Sequence, residues 1–240
     1  MNPAASRIGP WAAIGLMIVV FVVLEVVLPF ARVAVTPLFP SDTHGAVALR
    51  AASSIVLVWC LFGAACVLLR LRGQSLRDIG WMRPARVWGW VLAAVFAALY
   101  GGGVVSNMIR IGAPVTTDWS LWRIAIALGI GISAGICEET VFRGFVMGQA
   151  RDGGAHWPVQ IILSALLFGL AHVGWGGMSG HVQIAQVVGA ASATAILGLM
   201  MGAAYLAGGR SLTPAILAHG VIDILIEPWL LLFALTGGHF

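Results

Sequence analysis

Apolar runs of roughly bilayer-spanning length follow one another along almost the whole chain, from 11–31 at one end to 212–235 at the other. A hydrocarbon core is crossed by about 20 helical residues. Lipid offers no water to satisfy an open backbone, so such runs fold as transmembrane helices. The pattern predicts helices over 11–31, 50–69, 87–108, 121–149, 157–174, 183–207 and 212–235. The expected fold is therefore all-α, a polytopic transmembrane helix bundle of about seven spans, within a range of about six to eight for this length. Composition agrees: 60% of residues are hydrophobic and 9% charged, against about 45–50% and about 25% in soluble domains. No segment reads as a separate soluble domain, so residues 1–240 are taken as one integral membrane domain.

The charges that remain divide into two groups. All 13 basic residues are arginine, and most fall at helix ends. A net charge of +4 would suggest nucleic acid in a soluble protein. Here the arginines read as topology anchors facing the lipid bilayer, and no nucleic-acid partner is expected. The segment 70–86 holds Arg70, Arg72, Arg77, Arg83 and Arg86. The positive-inside rule makes it cytoplasmic. Seven spans bring Arg7, Arg151 and Arg210 to the same side. With Arg143 counted there, nine arginines lie inside and four (Arg32, Arg50, Arg110, Arg123) outside. The N-terminus is expected in the cytoplasm, and the first run is expected to stay as a helix. Trp11, Trp81, Trp88, Trp90, Trp119, Trp122, Trp157 and Trp175 sit near predicted ends, as an interfacial belt would. Cys60, Cys66 and Cys137 lack CxxC spacing and read as small core residues.

The second group lies inside the apolar runs: Glu25, Glu138, Glu139, Asp223 and Glu227, with His172 and His219. A charge at bilayer centre costs about 2.5–3.5 kcal/mol even on a lenient scale, so such groups need partners. Glu139 and Arg143 are i,i+4 with the acid first, the better order for an ion pair. Glu138 points about 100° away around the helix and lacks that partner, which makes it a candidate general base. Phe168 and His172 share a face at i,i+4, as do His219 and Asp223. The latter pair follows Ser211-Leu-Thr-Pro214, which reads as a helix start. Glu25 and Glu227-Pro228 read as structural or cavity-lining features. Gly198–Gly202 is a GxxxG that permits close helix approach.

Two kinds of chemistry are open to this set. Glu138, His172 and His219 could bind a divalent metal such as zinc and leave a position for water. Alternatively, Glu138 and His172 could activate water directly, with His219 and Asp223 stabilising an oxyanion. Both hydrolyse a carbonyl compound. No HExxH is present, which excludes a zincin helix.

The three clusters together resemble the CAAX protease and bacteriocin-processing family, also called the ABI family. Its EExxxR, FxxxH and HxxxN/D patterns correspond to Glu138-Glu139…Arg143, Phe168…His172 and His219…Asp223. The motif region is about 121–235, and Ser75–Trp81 also resembles a family segment. The resemblance implies an intramembrane endopeptidase acting on a peptide or protein, with prenylated and membrane-anchored substrates both in range, in a bacterial inner (plasma) membrane. It implies that Glu138 with His172 activates water, that His219 and Asp223 form the oxyanion site, and that Glu139 and Arg143, with Phe168, support them. The CAAX-processing branch has Asn where Asp223 stands. An ionised carboxylate cannot donate to an oxyanion, so Asp223 must be protonated, orient His219 or join a metal site. The competing expectations are a non-catalytic family member (a scaffold or bacteriocin-immunity protein), a transporter and a bis-histidine haem protein.

Overall fold

The computed structural model describes residues 8–38, 43–110, 121–173 and 184–236, with the side chains of a few helical positions, among them Arg123 and Glu227, outside that description. Arg7, Trp119 and Trp175 also lie outside it. The described residues form helices α1 (Pro10–Val35), α2 (Thr43–Leu71), α3 (Val87–Arg110), α4 (Leu121–Glu139), α5 (Met147–Asp152), α6 (Trp157–Ala171), α7 (Ile184–Ala207) and α8 (Thr213–Thr236). Between α4 and α5 the chain winds as a π-helix over Thr140–Val146, so α4, this stretch and α5 are one continuous rod. The seven predicted helices are all present. Five are long and apolar enough to cross a membrane: Pro10–Leu38, Ala48–Leu71, Val87–Arg110, Ile124–Asp152 and Val187–Ala207. The protein is an integral membrane helix bundle.

Glycines set two close helix packings. Gly131 and Gly135 on α4 meet Gly220 on α8. A Cβ added at Gly135 would lie 2.6 Å from the Ile216 carbonyl oxygen, and one at Gly131 would lie 2.7 Å from that of Gly220. Only hydrogen fits there, so the two backbones run in contact. On the other side α6 packs against α7, where a Cβ at Gly198 would lie 2.9 Å from the Cα of Ala165. The GxxxG of α7 therefore faces α6.

One end of the bundle collects four segments. Arg72 donates to the Ile8 carbonyl (3.0 Å) and pairs with Asp152 (3.6 Å). Trp11 donates to the Gly153 carbonyl (3.3 Å), the Arg86 amide to that of Gly208 (3.1 Å), and Ser211 to that of Arg83 (2.7 Å). The start of α1, segment 72–86, the α5–α6 turn and the α7–α8 turn thus share the arginine-rich end, as the span count predicts. Arg143 is the exception. It is fully buried against Glu139 and belongs to no surface.

Several other expectations need correction. Cys60 is exposed and Cys66 half-buried, so only Cys137 is a core cysteine. Trp81 is half-buried and hydrogen-bonded inward rather than part of a lipid-facing belt, whereas Trp11, Trp88, Trp90 and Trp157 are exposed near helix starts. Glu25 lies on the exposed face of α1.

Candidate active site within the bilayer

Three helices deliver the motif residues to one place. Glu138 and Glu139 end α4, where the rod changes from α to π winding. Such turns leave a backbone carbonyl with altered partners and recur at functional sites. Here the buried Ser164 hydroxyl of α6 donates to the Phe142 carbonyl at 2.9 Å. The Thr140 hydroxyl donates to the Ile136 carbonyl at 2.6 Å and accepts from the Trp81 indole at 2.9 Å. Thr140, Ser164 and Trp81 are therefore part of the site's frame. The sequence offered only a weak signal for Thr140 and Ser164, polar residues next to or one turn before a motif, while Trp81 ends the Ser75–Trp81 segment noted above.

Helix α8 starts at Thr213 with Pro214 in its first turn, as its sequence predicts. It carries His219 to the α4 face through the glycine seam. The Nδ1 of His219 lies 2.7 Å from Oε1 of Glu139. That same Oε1 lies 3.0 Å from Nη1 of Arg143, and both side chains are 0% exposed. The predicted Glu139–Arg143 ion pair is present, and the same carboxylate oxygen also takes the hydrogen bond to His219. Glu139 accepts from Nδ1, so that nitrogen carries a hydrogen.

The other ring nitrogen faces the remaining carboxylates. His219 Nε2 is 3.5 Å from Asp223 Oδ2 and 3.9 Å from Glu138 Oε2. Glu138 and Asp223 are each 15% exposed, in contrast to the sealed Glu139. The Oε2 of Glu138 has no hydrogen-bond partner among the described residues. The site thus has a closed floor of Arg143, Glu139 and Nδ1, and a partly exposed mouth at Glu138 and Asp223, with Glu138 Oε2 and the His219 ring buried beneath it.

Phe168 forms the wall. Its ring sits 4.7 Å from that of His172 and 5.6 Å from that of His219, edge-on to both. The Arg143 guanidinium lies over it at 4.4 Å, a cation–π contact between two fully buried side chains. His172 caps α6, and its Nδ1 lies 2.8 Å from the Phe168 carbonyl. A carbonyl only accepts, so Nδ1 carries the hydrogen and Nε2 is the free lone pair of the neutral ring. Among the described residues no three His, Cys, Asp or Glu side chains are arranged to hold a metal ion. Glu138, His172 and His219 accordingly do not fit a ligand set in this conformation.

A membrane-embedded helical bundle with a buried acid–imidazole centre is the class that fold and geometry define. Residues 119–225 match the family model described as type II CAAX prenyl endopeptidase Rce1-like. The match covers less than half of the chain, and over that segment the chain is similar to this endopeptidase family. Neither the comparison with curated proteins nor that with solved structures gives a match.

Proposed function

We propose that this protein is an intramembrane endopeptidase that hydrolyses a peptide bond with water activated by Glu138 and His172. The observation that carries the proposal is the mouth of the site, where the unpartnered Glu138 Oε2 stands 3.9 Å from His219 Nε2. That separation is too long for a direct hydrogen bond and suits an oxygen held between the two. In the reaction, a water oxygen forms a bond to the carbonyl carbon as Glu138 takes its proton. The carbonyl π electrons move onto oxygen, where the Nε2–H of His219 stabilises the charge. Glu139 at Nδ1 and Asp223 at Nε2 hold the ring in its doubly protonated form, so that both nitrogens donate. Collapse of the intermediate breaks the C–N bond, and the proton passes to the leaving amine. The lone pair on His172 Nε2 makes that ring a second station for the proton.

Asp223 takes the orienting role. Its carboxylate lies beside Nε2 and holds the hydrogen on the nitrogen that must donate. The substrate is a peptide or protein presented at the membrane, prenylated or membrane-anchored, and the arginine-rich end is cytoplasmic. The test is cleavage of a farnesylated peptide by purified protein, with and without chelator, against Glu138→Ala. The parent should cleave, chelation should not stop it, and the variant should be inactive while folded. Full cleavage by Glu138→Ala would sink the mechanism.

A further inference from the structure

Segment 72–86 lies outside the residues matched by the family model and begins at the arginine-rich end of the bundle. Its path nevertheless leads into the site. Ser75 accepts the start of a short 3₁₀ turn, Leu76–Ile79, and Gly80 follows at φ 109°. That left-handed conformation suits glycine, and a Cβ there would collide with the Arg210 carbonyl oxygen. The Gly80 carbonyl accepts from the Leu212 amide at 3.2 Å, and Tyr205 donates to the Ile79 carbonyl at 3.0 Å. The segment is thereby pinned to the turn that starts α8. Ile79 is buried beneath Gly144, where a Cβ would lie 2.9 Å from its Cδ1. From this anchorage Trp81 reaches inward and donates its indole N–H to Thr140 Oγ1 at 2.9 Å.

Thr140 follows Glu139 directly and is the first residue of the π-winding. Its hydroxyl is used on both sides, as donor to Ile136 and acceptor from Trp81. The indole therefore fixes the hydroxyl that ties the last α-turn, the one bearing Glu138 and Glu139. A tryptophan serving only as a membrane-interface anchor would direct its N–H to headgroups and water instead. We infer that Trp81 is a positioning residue for the reaction, acting through Thr140 to hold Glu138 and Glu139 against His219. Segment 75–81 is then part of the catalytic unit rather than a loop between spans.

The inference takes its activity readout from the protease reading, so its test includes a second readout. Trp81→Phe deletes the N–H and keeps a ring beside Phe62, which the indole meets edge-on at 6.3 Å. Thr140→Val deletes the hydroxyl at constant shape, and Thr140→Ser restores it. Losing one buried hydrogen bond in the transition state should lower kcat on the farnesylated peptide about tenfold. KM and Tm should stay near the parent's. Thr140→Ser should recover the rate, and the Trp81→Phe/Thr140→Val double variant should be no slower than either single one. Unchanged kcat in Trp81→Phe, or a loss of rate matched by a collapse in Tm, overturns the inference. The second readout is the His219 Nδ1 proton resonance in histidine-labelled protein, which should shift in Trp81→Phe. If the parent cleaves no probe, the protease reading fails alone, and an unmoved resonance then overturns the positioning role independently.

Discussion

His219 Nδ1 binds Glu139, not Glu138, and it does so on the same oxygen that holds Arg143. The carboxylate that looked like a helix brace is also the orienter of the histidine. Removing either partner therefore has effects beyond one ion pair.

Arg143→Ala should leave Glu139 as a fully buried carboxylate with His219 as its remaining partner. Breaking a buried pair by deleting one member costs about 3–5 kcal/mol. Cleavage should fall with it, because His219 then becomes the main counter-charge to Glu139 and its ring is held less tightly. Thermal unfolding in detergent, followed alongside peptide cleavage, checks both. A variant that melts with the parent refutes the shared-oxygen arrangement.

Gly135→Ala should damage stability and activity together. The new methyl would meet the Ile216 backbone oxygen, so α8 must move, and His219 moves with it. Gly101→Ala is the control, since nothing lies within 4 Å of its Cβ position. It should be as stable as the parent or more so, by up to about 1 kcal/mol from helix propensity. Equal behaviour of the two variants would contradict the backbone contact.

Asp223→Asn should retain cleavage within about tenfold, since an amide keeps an oxygen facing Nε2 and adds a donor for the oxyanion. Asp223→Ala should lose much more. The ratio of the two rates on one peptide is the measurement. Equal loss in both would mean that the carboxylate's charge, and not its geometry, is what the site requires.

Much of this was legible in the chain. Each of the seven helices follows from an apolar run, and α8 begins where Thr213-Pro214 says it should. The Glu139–Arg143 pair follows from i,i+4 spacing alone. What escaped was tertiary. Nothing local distinguishes Glu138 from Glu139 as the partner of a histidine eighty residues away. That choice is made by the glycine seam, which sets the depth and rotation of α8. Trp81 reads as an interfacial aromatic because its neighbours are arginines, and only the fold turns its N–H inward. The π-winding leaves no mark in hydrophobic periodicity, since residues 140–146 are buried on all sides.

That winding has a consequence for any attempt to move this helix between proteins. A π-turn holds one more residue between bonded partners than an α-turn does. Rewinding 140–146 as regular α-helix with every residue kept would rotate Glu138 and Glu139 by about 100° against the face that carries Gly148 and Gln149. The two halves of the rod behave as separate parts with a fixed phase between them, and the wider winding is what sets the phase. A transplant that matches every motif but winds as plain α-helix would align well as text and fail as a machine.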